Sequence, residues 1–285
     1  MKYAVTGSTG AFGALAVQHL LDLKVPAGDI VALARDEAKA ADLKAKGVQV
    51  RIADYNNPSS LEKALKGVDR VLLVSSNDIG NRVPQHKAAI DAAKAVGVKL
   101  LAYTSIAFAD TSKNPLAPDH KATEEYLKKS GVPFVLLRNN WYTENQLDDV
   151  KYAKSSGVIA TAVPTGKIAS ASRTDYAEVA AKVLTSEGQA GKVYELSGST
   201  AWSYSELAQV ASEVLGRAVT FQSLSAADRK KGLIAAGLPE GVAEFVTALD
   251  LGAEAGSLAQ ATNDLEKLLG RKPTSLKDGL KAALA

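Results

Sequence analysis

The chain contains no cysteine. Disulfides, thiolate nucleophiles and cysteine-ligated zinc or iron–sulfur sites are therefore excluded. Histidine is scarce: His19, His86 and His120 are the only three, they are scattered, and none lies in an HExxH spacing. With no carboxylate cluster beside them, no metal site is expected. No apolar run approaches the roughly 20 residues that a membrane span needs. The first apolar strand begins at once, which leaves no room for a signal peptide, so a cytoplasmic protein without a membrane partner is expected. An excess of one charge is lacking too, with 34 basic against 31 acidic side chains. The lysines sit beside acids, as in Asp36-Glu37-Ala38-Lys39 and Glu62-Lys63. That pattern describes a solvated surface and argues against a nucleic-acid partner.

What the sequence does have is concentrated in its first fourteen residues, MKYAVTGSTGAFGA. A short apolar run, Tyr3 to Thr6, leads into Gly7-Ser8-Thr9-Gly10-Ala11-Phe12-Gly13, and a helical apolar pattern follows directly. Strand, glycine turn and helix in this order form a dinucleotide-binding signature. Gly7 lets the chain turn off the strand, Gly10 lets a pyrophosphate approach the backbone, and Gly13 lets the helix pack close to the sheet. The helix start then offers free N–H groups and a positive dipole end to the phosphates.

Further apolar runs at Ile30–Arg35, Val48–Ala53, Arg70–Ser75, Leu100–Ser105 and Phe134–Arg138 alternate with helical spacing. Phe12, Ala16, Leu20 and Leu23 share one helical face, as do Ala89, Ala93 and Val96. Continuous Val/Leu/Ile strands alternating with helices predict an α/β fold, a Rossmann-type doubly wound parallel sheet covered on both faces. After residue 150 the alternation weakens. Lys192–Leu196 and Val219–Leu224 read as strands, and Tyr204–Leu215, Ala226–Ala235 and Leu265–Leu269 as helices. The division expected is a nucleotide-binding core over 1–150 and a smaller lobe over 151–285. With no flexible linker, that lobe is expected to lie over the strand ends and wall a substrate pocket rather than fold alone.

Ligands of such sheets bind beyond the carboxyl ends of the strands, which selects the next candidates. Arg35 ends the second strand, where a cation suits the extra phosphate of NADP. Lys39 adds a second positive charge, and Asp36 is expected to cap the helix after it. Asp54 either accepts from an adenine amino group or turns the chain before Pro58. Ser75, Ser76 and Asn77 close the fourth strand and can line a ribose. Tyr103, Thr104 and Ser105 end the fifth, and Arg138-Asn139-Asn140-Trp141-Tyr142 follows the sixth. Asn139, Asn140 and Tyr142 can donate hydrogen bonds to an amide or a carbonyl. Trp141 offers a flat face or is core. His120 is either a proton shuttle or a surface residue at a helix start. His19 reads as structural, and His86 as the start of a helix near the cofactor.

Thr6–Gly13, Ala34-Arg35 with Lys39, Ala53-Asp54-Tyr55, Leu72–Ser76, Ala102–Ser105 and Leu137–Tyr142 together resemble the NmrA-like class of atypical short-chain dehydrogenase/reductases, among them bacterial NADPH-dependent quinone reductases. The similarity runs nearly end to end and includes Ala169–Ala177, Lys192–Leu196 and Leu269–Ser275. It implies NADP bound across Gly7–Gly13, Arg35, Ser75–Asn77 and the Arg138–Tyr142 region, with a quinone stacked on the nicotinamide. Tyr103 and Thr104 are further expected cofactor contacts, and Asn139, Asn140 and Tyr142 are expected to orient nicotinamide and quinone. No flavin is implied. The Tyr-x-x-x-Lys pair of catalytic relatives is missing, since the stretch reads His120-Lys121-Ala122-Thr123-Glu124. Alcohol or ketone chemistry is therefore not expected. A quinone tolerates the loss, because reduction makes it aromatic and its anion is a weak base. Alignment and a hydrogen-bond donor then suffice. The expected function is two-electron reduction of a small quinone by NADPH. The alternative within the family is a non-catalytic NADP-binding redox sensor. A homodimer is compatible with either.

Overall fold

The apolar runs become strands. The computed structural model, which describes residues 1–285, has β1 (Tyr3–Val5), β2 (Ile30–Ala34), β3 (Gln49–Ile52), β4 (Arg70–Leu73), β5 (Leu100–Ile106), β6 (Phe134–Asn139), β7 (Val158–Thr161), β8 (Lys167–Ile168), β9 (Val193–Leu196), β10 (Trp202–Ser203) and β11 (Thr220–Ser223). Seven of them form one sheet in the order β3-β2-β1-β4-β5-β6-β9. The pairs from β3 through β6 are parallel. β9 runs the same way beside β6, through Gly191 N to Phe134 O at 2.7 Å and Leu136 N to Lys192 O at 3.0 Å. β2, β4 and β5 are buried along their whole length. Both faces of the sheet are covered there, which is why these runs show no polar alternation. The edge strands β3 and β9 are partly exposed.

The strand order reverses at β1. β2 and β3 lie to one side of it and β4, β5, β6 and β9 to the other. The crevice beyond the carboxyl ends of β1 and β4 is thus the topological switch point, the place where such sheets bind ligands.

Two compact units share the chain. The first comprises residues 1–109, 118–139 and 174–195, and the second 110–117, 140–173 and 196–285. The expected single cut after residue 150 does not describe this interleaving. The helix Arg173–Thr185 and strand β9 return to the sheet because β9 supplies backbone partners to β6. In the first unit the helix Ala11–Asp22 buries Phe12, Gly13, Ala16, Val17 and Leu20 on one face. Each large apolar side chain so buried contributes about 1.5–3 kcal/mol. Arg70 is buried in the same unit, and its Nη1 donates to Leu184 O at 2.9 Å and Ser186 O at 2.6 Å. It thereby satisfies carbonyls at the end of the Arg173–Thr185 helix that would otherwise lack partners.

The second unit has its own core, with Val150, Ile159, Ile168, Trp202, Leu207, Leu258 and Leu280 among its members. β7 pairs with β11 in parallel and β8 with β10 in antiparallel. The helices Leu147–Ser156, Glu240–Glu254 and Leu276–Leu284 and the strand β7 add to the elements that the residue pattern predicts. The helices Tyr204–Leu215 and Ala226–Ala235 carry clear start signals. Ser203 and Glu206 form a reciprocal capping box, and Ser225 caps the next helix.

Gly198, just past β9, marks a close backbone approach in the second unit. A Cβ there would lie 2.1 Å from Ser170 O. Gly198→Ala is therefore expected to cost about 1–3 kcal/mol in urea unfolding. Gly28→Ala, where a Cβ meets nothing within 4 Å, should leave the midpoint within error.

Candidate nucleotide-binding site

The glycine turn does what its residue types require. Gly7 adopts φ +57°, a left-handed conformation open to glycine. Gly10 N donates to Gly7 O at 2.9 Å, which folds the turn back on itself. A Cβ on Gly13 would lie 2.2 Å from Gly7 O and 2.7 Å from its carbonyl carbon, so only glycine lets the helix seat here. The N-terminus of that helix is bare. Gly10 supplies no side-chain cap, and the first turn holds no acidic residue. Asn57, Ser203, Ser225 and Ser275, in contrast, each cap a helix with a side-chain oxygen. The uncapped N–H groups and the positive dipole end form a ready site for phosphate oxygens.

Thr9 is exposed, and its hydroxyl is bonded to nothing in the protein. Ser8 differs. It is fully buried and its Oγ donates to Leu33 O at 2.9 Å, so it ties the turn to β2 instead of facing a ligand. The Phe12 side chain is on the buried face of the helix, which leaves its backbone as the only part suited to a phosphate.

Around this turn stand the other strand ends of the first unit. Arg35 is exposed and makes no ion pair. Asp36 Oδ1 accepts from Ala38 N at 2.9 Å in a local turn, but the short helix Ala38–Ala40 that follows has Glu37 at its N-cap and no side-chain cap, which corrects the capping role expected of Asp36. Asp54 Oδ1 accepts from Asn56 N at 2.8 Å, which favours the turn-forming of its two readings. Beside it, the Tyr55 hydroxyl lies 2.6 Å from Thr6 Oγ1 and 2.7 Å from Val74 O, joining the ends of β1 and β4 from below. Burial pushes this phenol well above its ordinary pKa. Ser75 N donates to Thr104 Oγ1 at 2.8 Å, and Ser76 N to His86 Nε2 at 2.9 Å. Ser76 Oγ is itself bonded to Gln85. Asn77 is exposed, with its side chain bonded to no protein group.

Three expected cofactor contacts are corrected by the geometry of β5 and β6. Tyr103 is fully buried and its hydroxyl is hydrogen-bonded to His120 Nδ1 at 2.7 Å. Thr104 is buried and holds the chain after β4. Arg138 is enclosed by carboxylates. Its Nε and Nη2 donate to Glu124 at 2.9 and 2.6 Å, and its Nη1 to Glu195 at 2.8 Å. Burial alone would lower the guanidinium pKa, but the two carboxylates raise it on balance. Ser105 Oγ adds a bond to Glu124 Oε1 at 2.7 Å. The serine of β5 and the acid at the position of the absent lysine are thus locked into a closed ion cluster. Removing one partner of a buried pair strands the other charge and costs about 3–5 kcal/mol.

Beside this cluster His86 and His120 are both buried, not surface residues. Because His86 Nε2 accepts from Ser76 N, its proton is on Nδ1, which lies 3.0 Å from Thr123 Oγ1. Burial, aided by Arg82, lowers the His86 pKa to about 3. His120 is lowered well below the ordinary range by burial first, then by Arg82 and His86. Both imidazoles are therefore neutral. No signal in the sequence spacing pairs Arg138 with Glu195, or Tyr103 with His120.

Asn139 ends β6 and is buried, with its carbonyl accepting from Ala107 N at 3.0 Å. Two further candidates belong to the second unit. Asn140 Nδ2 donates to Leu258 O at 3.2 Å and its Oδ1 accepts from Trp141 N at 2.7 Å. Its amide is engaged in holding the backbone, which corrects its expected role as a substrate donor. Tyr142 is half-buried and carries the Arg173 guanidinium over its ring, 5.1 Å from the centroid. No helix of the chain is long and apolar enough to cross a membrane.

Comparison with known proteins places these features. A family model described as NAD(P)H-binding matches residues 7–187. Quinone oxidoreductase 2 of Escherichia coli (strain K12) is 46% identical over 277 residues, covering 97% of this chain and 96% of the relative. The crystal structure of the NADPH-dependent quinone oxidoreductase of E. coli in complex with NADPH superimposes with a TM-score of 0.95 at 44% identity, covering 99% of this chain and 100% of that one. The triphenylmethane reductase of Citrobacter sp. in complex with NADP(H) gives 0.95 at 41% identity, with 99% and 100% covered.

The buried neutral histidines predict an acid-side loss of stability. Their folded pKa values are depressed, so between pH 6.5 and 4 the unfolded chain binds more protons than the folded one, and stability falls as pH falls. Urea midpoints measured across this window should decline less steeply for His120→Gln than for the native chain. Equal slopes would mean that His120 titrates alike in both states.

Proposed function

The chain belongs to the NAD(P)H-binding family, and on that premise we propose that it reduces quinones to hydroquinones with NADPH. The observation that carries this reading is the bare helix start behind Gly7, Gly10 and Gly13, flanked by an unpaired Arg35. A pyrophosphate would be held by the turn and by Thr9, with its charge opposed by the uncapped N–H groups. Arg35 would hold the 2′-phosphate, and Asn77 with Ser75 would border the ribose. The fit is steric too, because a Cβ at Gly13 would strike the Gly7 carbonyl and displace the helix start that faces the phosphates. NADPH, when bound, supplies the hydride.

The residues at the ends of β5 and β6 support a quinone as the acceptor. Glu124 and Glu195 neutralise Arg138, Ser105 is bonded to Glu124, and Tyr103 is fixed on His120. None of these groups is placed as an exchangeable acid of the kind a ketone requires. A quinone needs alignment and a donor to one carbonyl, and Asn139 at the end of β6 is the candidate donor in the first unit. The close relation to an oxidoreductase along nearly the whole chain disfavours the redox-sensor alternative. Supply of NADPH makes the cytoplasm the location in this reading, and self-association into a homodimer is compatible with it.

Steady-state oxidation of NADPH with benzoquinone tests the function, and tight nucleotide binding without turnover would overturn it. Arg35→Glu tests the site. It should weaken NADPH roughly 30-fold, about 2 kcal/mol, and NADH less than roughly threefold by the same measure. Equal losses for both cofactors would remove Arg35 from the 2′-phosphate.

A further inference from the structure

We infer that Tyr55 is a positioning residue for the nucleotide site: its hydroxyl closes a ring of hydrogen bonds that fixes the glycine turn against the Ser75–Asn77 segment. This inference rests on the reading of that site as nucleotide-binding and adds a residue to it. Tyr55 follows β3, the edge strand of the sheet, and its ring is half-buried.

β4 ends at Leu73, and the next backbone N–H groups in turn go to side chains. Val74 N donates to Thr6 Oγ1 at 2.9 Å, Ser75 N to Thr104 Oγ1 at 2.8 Å and Ser76 N to His86 Nε2 at 2.9 Å. The acceptors come from the residue after β1, from β5 and from the helix Arg82–Ala95. Side chains thus replace the sheet as the frame of this segment, and losing any of them would leave a backbone donor without its partner.

Tyr55 touches two of these three supports. Its hydroxyl is bonded to Thr6 Oγ1 at 2.6 Å and donates to Val74 O at 2.7 Å. Val74 N, Thr6 Oγ1, the Tyr55 hydroxyl and Val74 O therefore form a closed ring, in which both main-chain groups of Val74 are held by side chains. The aromatic ring of Tyr55 also meets His86 edge-on, with centroids 6.3 Å apart at 73°. The glycine turn packs on the same Val74, because a Cβ on Gly7 would lie 3.8 Å from Val74 Cβ. Thr6 directly precedes Gly7, and its own N donates to Leu72 O at 3.0 Å. One phenol thus sets the spacing between the turn that faces the pyrophosphate and the segment that borders the ribose. A site already held in its binding geometry loses less freedom when a ligand arrives.

Tyr55→Phe removes the hydroxyl and keeps the ring, so the variant should fold, which its urea midpoint checks. Titration calorimetry with NADPH and with adenosine 2′,5′-bisphosphate, the part of the cofactor that Arg35 would hold, reads the effect. Tyr55→Phe should weaken NADPH roughly 3- to 10-fold, the effect of losing one neutral hydrogen bond, and the bisphosphate less than roughly twofold. Thr6→Val, which opens the ring at its other side chain, should give the same pattern and carries the test if Tyr55→Phe does not fold. Thr6→Ser keeps the hydroxyl and should hold NADPH affinity within roughly twofold of the native chain. Unchanged NADPH affinity in Tyr55→Phe, or an equal loss for both ligands, would overturn the inference. A native chain that binds neither ligand would instead remove the nucleotide site, and the inference with it.

Discussion

One missing side chain sets the geometry on which the rest of the first unit depends. Gly13 sits so close to the Gly7 carbonyl that any Cβ would overlap it. The helix from Ala11 to Asp22 therefore starts directly above the end of β1, with its unpaired N–H groups at the switch point of the sheet. Parallel neighbours lie about 4.8 Å apart, so the ends of β2 and β4 fall on either side of that helix start. Arg35 and Ser75–Asn77 need no special placement of their own. They lie where in-register strands stop.

A second constraint is the neutralisation of buried charge. Arg138 is inside the protein, and isolated it would be prohibitively costly. Glu124 and Glu195 make it tolerable, and Ser105 completes the bonding of Glu124. Tyr103, His120, His86 and Thr123 form a second closed chain beside it. Both arrangements replace exchangeable protons with fixed hydrogen bonds. A site built in this way favours an acceptor whose reduced form needs little acid assistance, and the identity to known quinone-reducing relatives agrees with that chemistry.

The second unit follows different rules. Its charges are partly open, and it has a cavity lined by more carboxylates than cations. Its elements carry weaker local signals. Glu240–Glu254 begins after Pro239 with no side-chain cap, and β7 is paired only with the distant β11. Local signals predict elements with strong caps or two buried faces, and Glu240–Glu254 and β7 have neither.

The sequence by itself determined the sheet, the glycine turn and the phosphate-facing helix, because steric and hydrophobic patterns act over a few neighbouring residues. It also exposed Arg35 as a strand-end cation and the absence of a tyrosine–lysine pair. Only tertiary structure decided that Ser8, Thr104, Arg138 and Asn140 face protein rather than ligand, and that Glu195 and His120 complete the buried clusters. A polar side chain carries the same identity whether its partner is a cofactor or a carbonyl far away in the chain. Which partner it meets is fixed by packing between distant segments, and no local spacing records that choice.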